Sequence, residues 1–172
     1  FRPLVLGDLV RDWSLTPSHL VWFPYDERME LLPETRIPSW LWPIRSVLQA
    51  RRDFGDRSYK EAGRPHWEYH QIPVERNLIP LSIAFAFVAT HNHFVLDRGG
   101  KVFNRSAPII KLPAGATENT HLALLGLLNS SAACFWMKQV SQNKGSTVDE
   151  KGARQRTMPF EDFWEFTGTR LG

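Results

Sequence analysis

The chain has 172 residues, of which 42% are hydrophobic and 12% aromatic, and its formal net charge is +3. This length and apolar content predict a single domain, residues 1–172, and exclude a chain that is disordered throughout. The sequence lacks an 18-residue uncharged apolar run and a basic segment followed by an apolar one, so we expect neither a membrane span nor a secretory signal.

The single cysteine, Cys134, has no second cysteine to pair with. This agrees with a reducing, cytoplasmic environment. The sequence starts at Phe1 rather than at a methionine, and we therefore expect a fragment of a larger protein.

The first third of the chain predicts irregular strands followed by one helix. Prolines recur through residues 1–36, which disfavours helix, while residues 20–23 are a short extended run. Ser39 is then predicted to cap a helix over about 40–52. One face of that helix carries Leu41, Ile44, Val47 and Leu48.

The middle of the chain predicts a buried strand and a turn. Residues 81–89 are almost continuously apolar, as in a strand that is buried on both faces. Residues 93–96 continue extended, and Asp97 begins a turn in which Gly99 and Gly100 tolerate positive φ. The chain is then expected to turn back into residues 101–103.

A second helix is predicted over about 120–139, capped by Thr117 or Asn119. Its apolar face is broad enough to be buried against a sheet, and comprises Leu122, Ala123, Leu124, Leu125, Leu127, Leu128, Ala132, Phe135 and Trp136. Residues 141–158 read as a polar, flexible loop, and the aromatic segment 159–167 is expected to pack back on the core. The fold class is therefore α+β, with a mixed, mostly antiparallel sheet and packed helices over about 40–52 and 120–139.

Three stretches resemble the target-recognition domain, of the TaqI-like type, in adenine-specific DNA methyltransferases and their type IIG restriction relatives. They are nearest to the phage-growth-limitation (BREX-type) methyltransferases. The stretches are Trp22-Phe23-Pro24-Tyr25-Asp26; the turn from Phe94 to Gly100 with Phe103; and Leu124-Leu125-Gly126-Leu127-Leu128-Asn129-Ser130 with Phe135.

This resemblance implies a module that selects the DNA sequence for a methyltransferase of a phage-defence or restriction-modification system. Its expected partners are double-stranded DNA, a catalytic methyltransferase domain in cis and further subunits of the defence system, but no membrane. The chain lacks the Gly-rich loop that binds S-adenosylmethionine and the Asn-Pro-Pro-aromatic loop that holds adenine. We therefore expect no cofactor, metal or catalysis in this chain, and S-adenosylmethionine in the parent protein.

The candidate DNA contacts are cationic or hydrogen-bonding residues in three stretches, 51–64, 91–111 and 141–157, because phosphates and base edges are bound by such groups. Within the second stretch, residues 98–111 hold four cations and no acid. The candidates are Arg51, Arg52, Arg57, Lys60, Arg64, His91, Asn92, His93, Arg98, Lys101, Arg105, Lys144, Lys151, Arg154 and Arg156.

Other interpretations of these residues remain open. His91-Asn92-His93 could read bases, satisfy local backbone groups or, with His66 and His70, hold a metal; the literal tripeptide is not the nuclease motif of similar name. The arginines could instead form a solvated face. For the chain as a whole, the alternative is a protein-interaction module that docks partner subunits or a phage-encoded inhibitor.

Overall fold

A computed structural model describes residues 1–11, 13–53, 55–145 and 162–167. The chain divides into two compact units. We call Phe1–Val21 together with Ile79–Gly172 the strand unit, and Trp22–Leu78 the aromatic unit. Each unit is described by itself.

The strand unit holds the paired strands of the described residues. They are β1 (Arg2–Val5), β2 (Val10–Arg11), β3 (Ser14–Leu15), β4 (His19–Val21), β5 (Ser82–Phe85), β6 (Val88–Ala89), β7 (Phe94–Asp97), β8 (Val102–Phe103), β9 (Ile109–Ile110), β10 (Gln142–Gly145) and β11 (Phe163–Glu165). A short 3-10 helix, Gly7–Leu9, connects β1 and β2.

The central strand β5 pairs antiparallel with β7 on one side and with β9 on the other. All four of its residues are buried, which confirms the prediction of a strand covered on both faces. The predicted run 81–89 is nevertheless divided, because the chain leaves this sheet after Phe85 and β6 joins β11 and β10 in another sheet.

The turn after β7 adopts the expected backbone, with φ of +102° at Gly99 and +79° at Gly100. The strand that follows does not pair with β7, however, which corrects the expectation of a simple return. β8 lies parallel to β1, whose other neighbour β4 is antiparallel to it. Most strand pairs are antiparallel and helices are packed on them, so the α+β fold class is confirmed.

The long helix predicted over 120–139 is two helices, α3 (Glu118–Leu128) and α4 (Ser131–Val140). Thr117 caps α3 as predicted, because its Oγ1 accepts a hydrogen bond from the Thr120 N–H at 3.2 Å. Ser130 caps α4 by accepting from the Ala133 N–H at 3.1 Å. This second cap ends the first helix where periodicity alone would have continued it.

The predicted apolar face of this helix is only partly buried. Leu125 of α3 and Met137 of α4 lie in the core, with 5% and 1% of their surface exposed. Leu127, Phe135 and Trp136 are 64%, 70% and 49% exposed, so the prediction that they pack against a sheet was wrong. The break before α4 explains Phe135 and Trp136, because a single helical wheel does not describe two separate helices. Leu127 lies within α3, where the predicted apolar face was too broad.

The core of the strand unit lies between β5, β7 and the inner sides of α3 and α4. Phe85 and Phe94 stack in it with ring centroids 5.2 Å apart. Phe166 is 1% exposed and Trp164 packs against the same cluster, as expected for the part of segment 159–167 that lies within the described residues. The buried apolar residues are Val5, Val10, Ile83, Phe85, Ala86, Ala89, Phe94, Val95, Ala107, Leu125, Met137 and Phe166.

The aromatic unit contains short helices rather than the helix predicted over 40–52. A 3-10 helix, Ser39–Ile44, leads into α1 (Arg45–Gln49), and α2 (Val74–Leu78) comes later. Pro43 lies inside the 3-10 segment and cannot donate a backbone hydrogen bond there. Ile44 and Val47 are 43% and 68% exposed, so the predicted apolar face was wrong at those two positions.

Ring contacts and hydroxyl hydrogen bonds hold the interior of the aromatic unit. The ring of Phe23 lies 5.1 Å from that of Tyr25 and 5.9 Å from that of Tyr69. The Tyr69 N–H donates to the Tyr25 hydroxyl at 3.0 Å, and the Tyr69 hydroxyl donates to the Trp22 carbonyl. Burial raises the pKa of both tyrosines.

No helix in the described ranges is long and apolar enough to cross a membrane.

Candidate nucleic-acid interface

Two of the candidate arginines lie against the faces of a buried tyrosine. The guanidinium carbons of Arg51 and Arg64 lie 4.4 and 4.3 Å from the ring centroid of Tyr59, which is fully buried. Arg51 also donates to the carbonyls of Leu48, His66 and Glu68 at 2.9, 2.7 and 3.1 Å. These two cations therefore have partners inside the aromatic unit before any ligand binds.

The Glu68 carboxylate holds Arg64 in this position by two hydrogen bonds of 2.8 and 3.1 Å. That hydrogen bonding raises the pKa of Arg64. Arg52 forms a more exposed ion pair, 2.7 Å long, with Asp56. The Arg57 and Lys60 side chains are exposed and have no ion pair with another described residue.

The acid-free stretch 98–111 is not acid-free in space. Arg98 pairs with Glu118 at 2.6 Å, and Lys101 pairs with the buried carboxylate of Asp97 at 2.5 Å. Arg105 is exposed and has no ion pair within the described ranges. Of the four cations in this stretch, Arg98 and Lys101 are therefore already paired with carboxylates, which leaves fewer of them for contacts with DNA.

The fourth cation of that stretch, Lys111, is half-buried and donates to the Ile79 carbonyl. Burial lowers the pKa of Lys111, against the opposite effect of Asp97.

The remaining candidates lie near the C terminus. Lys144 pairs with Glu165, while Lys151, Arg154 and Arg156 lie outside the described residues, as do most of the predicted loop 141–158 and the start of the segment 159–167.

A reciprocal pair of asparagines joins the strand β7 to the junction of α3 and α4. The Asn92 side-chain amide donates to the Leu128 carbonyl at 2.6 Å. Asn129 forms two hydrogen bonds with the backbone of Phe94: its side chain accepts from the Phe94 N–H at 3.0 Å and donates to the Phe94 carbonyl at 2.8 Å. Asn129 thereby satisfies both polar groups of a strand residue, as a neighbouring strand would.

The two candidate histidines beside this junction differ in exposure. His91 is exposed and His93 is buried, and their ring centroids are 4.2 Å apart. Nδ1 of His91 lies 3.0 Å from the Thr90 hydroxyl. No group of three potential metal ligands comes together among the residues that the structure describes.

These histidines border an open pocket of about 520 Å³ in the strand unit. It is lined by the loop 91–93 and by Asn129, Ser130 and Ser131 at the junction of α3 and α4. The α4 helix also contributes Cys134, Phe135 and Lys138. None of the lining residues that the structure describes is an aspartate or a glutamate.

Trp13, in the two-residue connection between β2 and β3, also lines the pocket. Its side chain is 61% exposed and its φ is +68°, a left-handed conformation that costs a bulky residue roughly 1 to 2 kcal/mol. Trp13 is thus an exposed aromatic ring on a backbone conformation that bulky residues rarely adopt.

Trp13, Phe135 and Lys138 were not among the site residues predicted from the sequence. Phe135 and Lys138 are three residues apart and therefore share a helix face, a spacing visible in the sequence. Phe135 was instead predicted to be core, because the break at residues 129–130 was not recognised. For Trp13, no signal in the sequence indicated that it lies beside α4.

No family model matches the chain. The chain is 48% identical over 174 aligned positions to the adenine-specific methyltransferase PglX of Streptomyces coelicolor. The alignment covers 99% of this chain and 14% of that protein. The chain is thus similar to a segment of an adenine-specific methyltransferase, which confirms the expected resemblance at that level. The more specific likeness to a target-recognition domain stays a prediction.

Proposed function

We propose that this chain is the DNA target-recognition module of an adenine-specific methyltransferase of a phage-defence or restriction-modification system. The observation that carries the proposal is the 48% identity, over 99% of the chain, to a segment of an adenine-specific methyltransferase. The sequence motifs named above support recognition rather than catalysis as its role. The module selects the DNA sequence, and a catalytic domain in cis binds S-adenosylmethionine and methylates the adenine in the cytoplasm.

The cations that are free of internal ion pairs are the first choice for phosphate contacts. Arg105 in the strand unit and Lys60 in the aromatic unit are exposed and have no carboxylate partner among the described residues. Arg51 and Arg64, which hold Tyr59, are assigned a structural role instead. Arg57 is the first choice as a base reader, because the Asn92 amide already donates to Leu128.

The experiment that tests the proposal measures binding of the 172-residue chain to duplex DNA as a function of salt. Arg105→Ala is expected to weaken binding to all sequences alike and to lower the slope of log K against log salt by about 0.9. Arg98→Ala is the matched control, because Arg98 is already paired with Glu118. Unchanged affinity and slope for Arg105→Ala would show that this face does not contact DNA.

Base reading has a different signature. Arg57→Ala is expected to change which duplex sequence is preferred, at a discrimination of about 1 to 3 kcal/mol.

Titration of the chain with S-adenosylmethionine is expected to give no heat of binding, because the cofactor loop is missing from the sequence. Saturable binding of that cofactor would contradict the division of roles.

A second function, protein docking, is favoured by one observation. Leu122, Leu127 and Trp136 on α3 and α4 are 43%, 64% and 49% exposed. Exposed apolar side chains of this kind fit a contact with another subunit of the defence system or with a phage inhibitor. Binding of such a partner that is weakened by Leu127→Asp but not by raised salt would favour this function over DNA recognition.

A further inference from the structure

We infer that the pocket between Trp13, the loop 91–93 and α4 binds a single unstacked nucleotide of DNA. This inference deepens the proposed function and rests on it. The observation behind it is a juxtaposition: two exposed aromatic rings, imidazoles, hydroxyls and a lysine line one pocket, and no carboxylate is among its described lining residues.

Two exposed aromatic rings line the pocket. Trp13 and Phe135 are 61% and 70% exposed and come from distant parts of the sequence, yet both line the same pocket. Unstacked bases are bound by stacking on aromatic side chains, which tolerates any base because each has a π face. A pocket of about 520 Å³ lies within the range of ordinary small-ligand sites and has room for one nucleotide.

Charge is the second feature of the pocket. Lys138 lines the pocket and has no ion pair with a described residue, and His91 is exposed beside it. A phosphate is attracted to such a cation, and none of the described lining residues carries a carboxylate that would repel it. The Ser131 hydroxyl adds a group that both donates and accepts hydrogen bonds.

A second pocket, in the aromatic unit, lacks this combination. It has a volume of about 400 Å³ and contains Arg52 and Lys60, but also Glu61, and no aromatic side chain is among its described lining residues. Cations alone suit a phosphate backbone, whereas the aromatic rings at Trp13 and Phe135 suit a base as well. The nucleotide is therefore assigned to the pocket of the strand unit.

The test compares two DNA duplexes that differ in one unpaired 2-aminopurine. The 172-residue chain is expected to bind the duplex with the unpaired base about tenfold more tightly than the paired duplex, and to quench its fluorescence by stacking. Trp13→Ala and Phe135→Ala are each expected to remove most of that difference. Trp136→Ala is the matched control, because Trp136 is a neighbour on α4 and 49% exposed but does not line the pocket.

The single cysteine of the chain locates the binding site independently. Cys134 lines the pocket and is partly exposed. The duplex with the unpaired base is expected to slow alkylation of Cys134 by iodoacetamide at least fivefold more than the paired duplex does. Thermal unfolding of each variant shows that the fold is retained.

The possible outcomes separate this inference from the proposed function. If both duplexes bind equally and Trp13→Ala changes neither, the pocket assignment is wrong and DNA recognition stands. A preference for the unpaired base that survives both substitutions, without protection of Cys134, also overturns the assignment. If neither duplex binds at low salt, both proposals fail. Binding of a glutamate–tyrosine copolymer in that case would assign the pocket to a protein partner.

Discussion

Aromatic and cationic residues meet in both units of this chain, with opposite results. At Tyr59 the ring is fully buried and the guanidinium groups of Arg51 and Arg64 cover its faces. In the pocket of the strand unit, Trp13 and Phe135 are largely exposed and Lys138 is without an ion pair in the described part of the chain. The first arrangement is complete and stabilises the fold, whereas the second leaves its rings and its charge accessible.

Residue types alone therefore do not distinguish a structural cluster from a binding site. A guanidinium on a ring gains about 0.5 to 2 kcal/mol, and that gain is available to the fold as well as to a ligand. The two clusters differ in whether the rings and cations already have partners within the fold. Four substitutions test the contrast, in order of decreasing effect.

The largest effect is expected where the helices that carry the pocket face the core. Leu125→Asp should unfold the strand unit, since burial of an unpaired carboxylate costs several kcal/mol. Leu127→Asp, on the exposed side of α3, should change the stability by about 0.5 kcal/mol or less. Denaturant unfolding measures both. Unchanged stability of Leu125→Asp would show that α3 is not anchored in the core.

A smaller loss is expected at the closed cluster. Arg51→Ala removes one ring contact and three hydrogen bonds to carbonyls, and should lower the free energy of unfolding by about 2 to 3 kcal/mol. Arg57→Ala is the matched control and should be neutral within about 0.5 kcal/mol. Equal effects of the two substitutions would mean that Arg51 is not a structural residue.

The asparagine bridge under the pocket should come next. Asn129→Ala leaves both backbone groups of Phe94 without their partner, at a cost of about 2 kcal/mol. Asn119→Ala, at an exposed position of α3, provides the comparison and should have little effect. Hydrogen exchange of the Phe94 amide should also become faster in Asn129→Ala. Retained protection of that amide would contradict the bridge.

The smallest effect is a dependence of stability on pH in the aromatic unit. Burial lowers the pKa of His66 from 6.5, with Arg45 and Arg51 acting in the same direction. The unfolded chain therefore binds a proton that the folded chain resists, so the stability should fall as the pH drops below about 6.5.

This titration is checked by unfolding at pH 7.5 and pH 5 in the wild type and in His66→Gln. The difference between the two pH values should be smaller in the variant, because the variant lacks the titrating ring. A pH dependence that is identical in the two proteins would assign the effect to other groups.

Local interactions were predicted well from the sequence. The buried strand around Ile83, the glycine turn at Gly99 and Gly100, and the cap at Thr117 depend on neighbours along the chain, and each is present. Asp97 was interpreted as a turn residue, and it does accept a hydrogen bond from the Gly99 N–H at 3.1 Å. These features are readable because apolar runs, positive φ and caps have short-range causes.

The helix predictions failed where a short polar interruption outweighed periodicity. Asn129 and Ser130 were included in a helix over 120–139, although Ser130 accepts a cap hydrogen bond and Asn129 bonds to Phe94. Pro43 similarly marks a 3-10 segment inside the helix predicted over 40–52. In both cases, side-chain hydrogen bonds or a missing donor decided the backbone conformation locally.

By itself the sequence determined the α+β class, the buried central strand and the similarity to a methyltransferase segment, because composition, periodicity and identity are properties of the linear order. Only the tertiary structure decided which charged and aromatic groups are available. Lys101 meets Asp97, Arg98 meets Glu118, and Arg51 covers Tyr59, while Trp13 comes to lie beside α4. Partners that are distant along the chain determine whether a charge or a ring is satisfied, and spacing in the sequence does not contain that information.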